Sequence, residues 1–111
     1  GDGTQKREFT YVSDVVDATL ALSQSSVPAG STFDIGGGSS CSVLSVISDI
    51  ERLVGSPCRI TEVSSAPGDP KSTEATLGPI SKATGWKPKV SLEDGLSEQY
   101  LWQERQLSLS R

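Results

Sequence analysis

Three consecutive glycines, Gly36-Gly37-Gly38, separate a short apolar-alternating stretch, Thr32 to Ile35, from a strongly amphipathic segment, Val43 to Val54. Strand, glycine turn and helix in that order present backbone N–H groups and a positive helix end to an anion. A dinucleotide fingerprint needs a third glycine, but Cys41 stands at that position after Gly36 and Gly38. The spacing therefore reads as a tight turn in which glycine supplies positive φ, set in a ligand-facing loop. Lys71-Ser72 lacks the glycines of a phosphate-binding loop and reads as solvated. Neither Tyr11 nor Tyr100 is followed four residues later by lysine, so a tyrosine–lysine proton-transfer pair is absent. Asp14 and Asp17 read as helix-start charges rather than a catalytic dyad. Arg7 reads first as a surface charge. Its place at a strand edge, beside a glycine turn, leaves open a phosphate contact that its planar fork would suit.

Composition narrows the chemistry further. The chain has no His and no Asn. Without imidazole, the serine triad, the cysteine–histidine pair and the usual zinc ligand sets each lose a member. No metal site is expected. Cys41 and Cys58 have no C-x-x-C spacing and read as small buried hydrophobes, without a disulfide framework. The net charge of −4 argues against a nucleic-acid partner. No apolar run is long enough to span a membrane, and no signal peptide is visible, so a cytosolic location is expected. The 111 residues suffice for one modest domain, and the absence of Met suggests a processed or excised piece of a longer protein.

Those residues need elements to position them. Arg7 to Val12 alternates as a strand, and Ser13 stands as N-cap to a helix fading near Ser23-Gln24. Thr32 to Ile35 reads as a second strand. Val43, Val46, Ile47, Ile50, Leu53 and Val54 form the apolar stripe of a helix, with Gly55 as its C-terminal cap and Pro57 blocking continuation. Arg59 to Val63 alternates as a third strand, which predicts a parallel, right-handed βαβ unit. A loop over Ser64 to Thr76 leads to a short helix, Ile80 to Thr84, stopped by Gly85 and anchored by Trp86. Ser91 then caps a last helix carrying Leu92, Leu96 and Tyr100, with a fraying tail after Glu104. The expected class is α/β, with about three short parallel strands and three to four helices.

The residues also carry a family resemblance. Gly1-Asp2-Gly3-Thr4-Gln5-Lys6-Arg7-Glu8-Phe9-Thr10-Tyr11-Val12-Ser13-Asp14-Val15-Val16-Asp17-Ala18 resembles the signature of the extended short-chain dehydrogenase/reductases. More closely, it is similar to the C-terminal portion of the NAD-dependent nucleotide-sugar epimerases and dehydratases. Phe33 to Gly38, Pro67-Gly68-Asp69, Thr73, Gly85-Trp86-Lys87-Pro88 and Ser91 to Leu96 match that family's later blocks in order. The resemblance implies a partial piece of that fold, residues 1–111 forming a single substrate-binding part. The dinucleotide-binding half, with its glycines and Tyr-x-x-x-Lys, would be a separate, missing partner.

By the same resemblance Arg7 would contact the diphosphate of a nucleotide-diphosphate sugar and Phe9 would line the pocket. Val43 would touch the base, and Asp69 would accept from the ribose. No catalytic residue and no bound cofactor are implied for this chain, whereas NAD(P) is implied for an intact enzyme. That enzyme would oxidise a sugar hydroxyl to a keto intermediate, then re-reduce it or eliminate. Three positions depart from the pattern: Ala66 replaces an arginine seen in several subfamilies, Ala75-Thr76 replaces Ala-Asp, and Glu8 replaces aspartate. A stand-alone binding module and a truncated remnant are the alternatives. Without the dinucleotide half, Val12, Val15, Val16 and Leu22 cannot all be buried, which predicts self-association or mobility around Ser13 to Ser31.

Overall fold

The computed structural model describes residues 1–109. The order is β1 (Lys6–Glu8), α1 (Val12–Ser23), β2 (Ser40–Ser42), α2 (Val43–Val54), α3 (Gly78–Thr84) and α4 (Leu92–Leu109). The chain is α/β, with four helices and one small sheet. The expected parallel βαβ unit is corrected: β1 and β2 pair antiparallel, with Arg7 opposite Cys41. The parallel element among the described residues is a single bridge, Lys6 to Ser72, on the other side of β1. There the Lys6 N–H donates to the Lys71 carbonyl at 2.8 Å, and the Thr73 N–H donates to the Lys6 carbonyl at 3.3 Å. Within the three-residue β1, Lys6 thus pairs with backbone on both sides.

Neither Thr32 to Ile35 nor Arg59 to Val63 forms a strand. A strand exists through its pairing, and alternation alone supplies no partner. Phe33 and Ile35 still pack inward, against Ala18, Ile80 and Trp86, so their apolar pattern was spent on side chains rather than on a ladder. Residues 59–63 are exposed throughout, Ile60 and Val63 included. The cysteines also differ from expectation: Cys41 is half-buried in β2, Cys58 is exposed, and both are free.

The helices follow local signals more closely. In α2 the Ser42 side chain accepts from the Ser45 N–H at 3.1 Å, and Gly55 closes the helix in the left-handed region at φ 72°. Gly85 ends α3 in the same way at φ 74°, and Trp86 behind it is 6% exposed. Ser91 accepts from the Asp94 N–H at 3.1 Å, as an N-cap should. At α1 the cap shifts: Tyr11 occupies the N-cap without a side-chain bond, and Ser13 lies inside the helix. Helix α4 runs on to Leu109 rather than fraying after Glu104, while Ser110 and Arg111 lie outside the described residues.

The core is small. Its buried apolar members are Ala18, Val46, Ile80 and Trp86. The accessible surface is 7997 Å², against about 5900 Å² for a compact monomer of this mass. The radius of gyration is 17.0 Å, against about 13 Å for a compact domain of this length. Much of the excess is apolar: Val12, Val15, Val16 and Leu20 of α1 are 65%, 38%, 50% and 53% exposed. No described helix is long and apolar enough to cross a membrane.

Asp14 holds the α1 side together. It is 1% exposed, and its carboxylate takes the Lys89 N–H on both oxygens at 3.1 Å and the Val90 N–H at 3.0 Å. Asp14→Ala would strand those donors, at a cost of about 1–3 kcal/mol, whereas Asp14→Asn keeps one acceptor and should cost less. Urea unfolding of the three proteins checks this; equal midpoints for Asp14→Ala and the parent chain would overturn it.

Candidate functional site

Strand alternation sends neighbouring side chains of β1 to opposite faces, and Arg7 and Glu8 follow that rule. On one face, Arg7 Nη2 lies 2.5 Å from Asp69 Oδ1. Its Nη1 donates to the carbonyls of Lys6 at 2.7 Å and Pro70 at 2.9 Å. The two side chains are 26% and 37% exposed, so the pair is screened by water and contributes little to stability. What it does is orient a planar cation at the surface. A guanidinium so held offers charge-assisted, directional donors to an anion such as a phosphate.

On the other face, Glu8 reaches two loops distant in sequence. One carboxylate oxygen accepts from the Gly38 N–H at 2.5 Å, and the other accepts from the Ala75 N–H at 2.5 Å. This contact decides what the three glycines are for. Of the three, only Gly38 has positive φ, at 81°. A Cβ on Gly36 would lie 2.5 Å from Glu8 Oε1 and 2.6 Å from the Ala75 Cβ, and one on Gly37 would run into the Phe9 carbonyl. The turn is glycine because it packs against β1. A carboxylate already takes the Gly38 amide, and β2 intervenes before α2, so these residues do not fit the pyrophosphate of a dinucleotide.

Of the four positions expected from the sequence, two touch: Arg7 and Asp69. Val43 is the first residue of α2, and its N–H donates to the Gln5 carbonyl at 3.2 Å, which ties the helix start to the segment entering β1. Phe9 is 42% exposed and borders a groove of about 220 Å³ with Tyr11, Val90, Leu92 and Leu96, a groove that does not include Arg7. Glu8 and the Pro70 carbonyl were not anticipated. The strand period could have placed Glu8 opposite Arg7, but its partners lie 30 and 67 residues away.

Comparison with known proteins adds to this geometry. The profile of the NAD dependent epimerase/dehydratase family matches residues 1–36. The chain is 33% identical over 111 residues to a UDP-glucuronate 4-epimerase of Thermodesulfobacterium geofontis, covering 98% of this chain and 33% of that protein. A UDP-glucuronic acid decarboxylase 1 of Xenopus tropicalis is 36% identical over 98 residues, covering 88% of this chain and 23% of its own. The solved structure of a UDP-glucuronic acid 4-epimerase from Bacillus cereus, in complex with UDP-glucuronic acid and NAD, superposes with a TM-score of 0.87. It shares 36% identity, over 95% of this chain and 34% of that one. The chain thus matches the NAD dependent epimerase/dehydratase family model over its first 36 residues and is similar, over nearly its whole length, to part of UDP-sugar epimerases and decarboxylases. It spans between about a quarter and a third of the length of these curated relatives.

If the glycine turn is a packing device, substitutions should rank by what a Cβ meets. Gly37→Ala should destabilise most, by about 1–3 kcal/mol or more, because the obstacle is backbone. Gly36→Ala should cost less, since its obstacles are the side chains of Glu8 and Ala75 rather than a backbone carbonyl. Gly30→Ala meets nothing within 4 Å and carries only the strain of its φ of 83°. Denaturation midpoints test the order, and an unchanged midpoint for Gly37→Ala would refute the packing account.

Proposed function

We propose that this chain supplies the nucleotide-sugar-binding part of a NAD-dependent nucleotide-sugar epimerase or dehydratase and is not catalytic by itself. The observation that carries the reading is the match over nearly the whole chain to a protein solved with UDP-glucuronic acid and NAD. The Arg7 fork supports it from the chemistry: a cation held in place by Asp69, Lys6 and Pro70 is suited to a diphosphate. In this reading Arg7 binds the diphosphate and Asp69 accepts from the ribose, giving up part of its contact with Arg7 as the ligand enters. Val43 touches the base, and Phe9 forms a wall of the pocket. The protein would act in the cytosol.

NAD belongs, in this reading, to a dinucleotide-binding part beyond the residues described. The occupied glycine turn supports that division. The exposed Val12, Val15, Val16 and Leu20 support an association surface on α1, for that part or for a second copy of the chain. The large exposed area weighs against a stand-alone binding module. Sedimentation at several concentrations tests the association: a strictly monomeric 111-residue chain with uniformly protected α1 amides would favour the stand-alone module.

Arg7→Ala in the full-length protein should raise KM for the nucleotide sugar on the order of ten- to a hundredfold, with kcat changed less. Asp69→Ala should cost less, because the ribose contact it removes is to a group that is neutral on the ligand side. An unchanged KM in Arg7→Ala would make the residue a surface charge. The 111-residue chain alone should show no saturable NAD binding at micromolar levels, and calorimetric titration that saturated there would overturn the division of labour.

A further inference from the structure

Arg7 is aimed by a loop, and that loop is held from the opposite side of the strand. Asp69 and Pro70, which orient the guanidinium, begin a segment that returns along β1 through Lys71 and Thr73. The segment is next fixed at Ala75, whose N–H donates to Glu8. The second oxygen of the same carboxylate holds Gly38 in the turn leading to β2, the strand on the far edge of β1. Glu8 is the side chain that joins both neighbours of β1. Residues 71–74 between these fixed points are exposed, so backbone bonds to β1 and the Glu8 contact hold them rather than burial.

We propose that Glu8 is a positioning residue for Arg7. By clamping Ala75 and Gly38, it sets where the Asp69 carboxylate and the Pro70 carbonyl stand, and hence how the Arg7 fork meets a nucleoside diphosphate. The inference rests on the diphosphate reading of Arg7. Its chemistry is specific to a charged acceptor. A carboxylate accepts from two N–H groups at once, one on each oxygen, with charge assistance on both. The amide of glutamine offers one acceptor and turns a donor toward the second N–H.

The test is a double-mutant cycle in the full-length protein with UDP as the probe. Glu8→Gln should weaken UDP binding about tenfold when Arg7 is present, and less than about twofold in the Arg7→Ala background. Glu8→Asp, one methylene shorter but still bidentate, should recover part of the loss. A merely structural role for Glu8 would lower affinity equally in both backgrounds, and that result would overturn the inference while leaving the diphosphate reading intact. No loss in either background would overturn it as well. If Arg7→Ala itself left UDP affinity unchanged, the diphosphate reading would fall and take this inference with it. Should Glu8→Gln fold poorly, the Gly38 and Ala75 amide proton shifts in Glu8→Asp report the clamp directly. Shifts that moved without any change in UDP affinity would count against the proposal.

Discussion

A carboxylate removed from water must be met by donors, and this chain removes Asp14 almost completely. The donors are the backbone N–H groups of Lys89 and Val90, some 75 residues further along. That single contact sets α1 against the connection between α3 and α4, and α1 packs on α3 beside it. Trp86, three residues before Lys89, is thereby pressed into the cluster of Ala18 and Ile80. With so few buried apolar residues, the polar tether matters more here than in a domain with a full core. The apolar contacts near Trp86 are too few to fix the angle of α1 unaided.

The second organising constraint is the alternation of β1. One residue faces a charged surface feature and the next faces the interior of the loop system. Arg7 and Asp69 are half open to water, so their attraction is modest and exchangeable, which suits a group that must change partners on binding a ligand. Glu8 makes short bonds to backbone amides and has no comparable exchange partner. A rigid acceptor on one face and an adaptable ion pair on the other is a division of labour that a strand supplies through its period of two.

The surface supports the same picture of an open unit. Helix α1 is apolar on both sides: Ala18, Ala21 and Leu22 turn to the core, while Val12, Val15, Val16 and Leu20 face out. Helices that are apolar all round are normally buried, and the area of this chain exceeds the compact expectation by about a third. Helix α4 touches α2 but buries no residue and leaves Leu101, Trp102, Leu107 and Leu109 exposed, so the deficit extends along α4 as well as α1 and the loop over residues 56–74, which is exposed along its whole length.

Local chemistry, written in the sequence, determined the helices and several of their ends, though not the N-cap of α1 or the end of α4. The α2 stripe, its Ser42 cap and Gly55, the stop at Gly85, the Ser91 cap and the anchoring Trp86 depend on residues within a turn or two of one another. Family-level similarity was legible too, because it rests on blocks of adjacent residues. Tertiary structure alone decided the sheet. Thr32 to Ile35 and Arg59 to Val63 have strand-like alternation, yet pairing depends on which backbone arrives alongside, and β1 took Ser40 to Ser42 and the Lys71 to Thr73 segment instead. The meaning of the acids was equally hidden. Asp14 looked like a helix-start charge and Glu8 like a mild replacement, but the donors that define them lie 30 to 76 residues away, a distance no local pattern encodes. The glycine turn shows the division in one place. Its composition announced positive φ, and only the fold revealed that Gly38 alone uses it, while Gly36 and Gly37 make room for the protein's own Glu8 and Phe9.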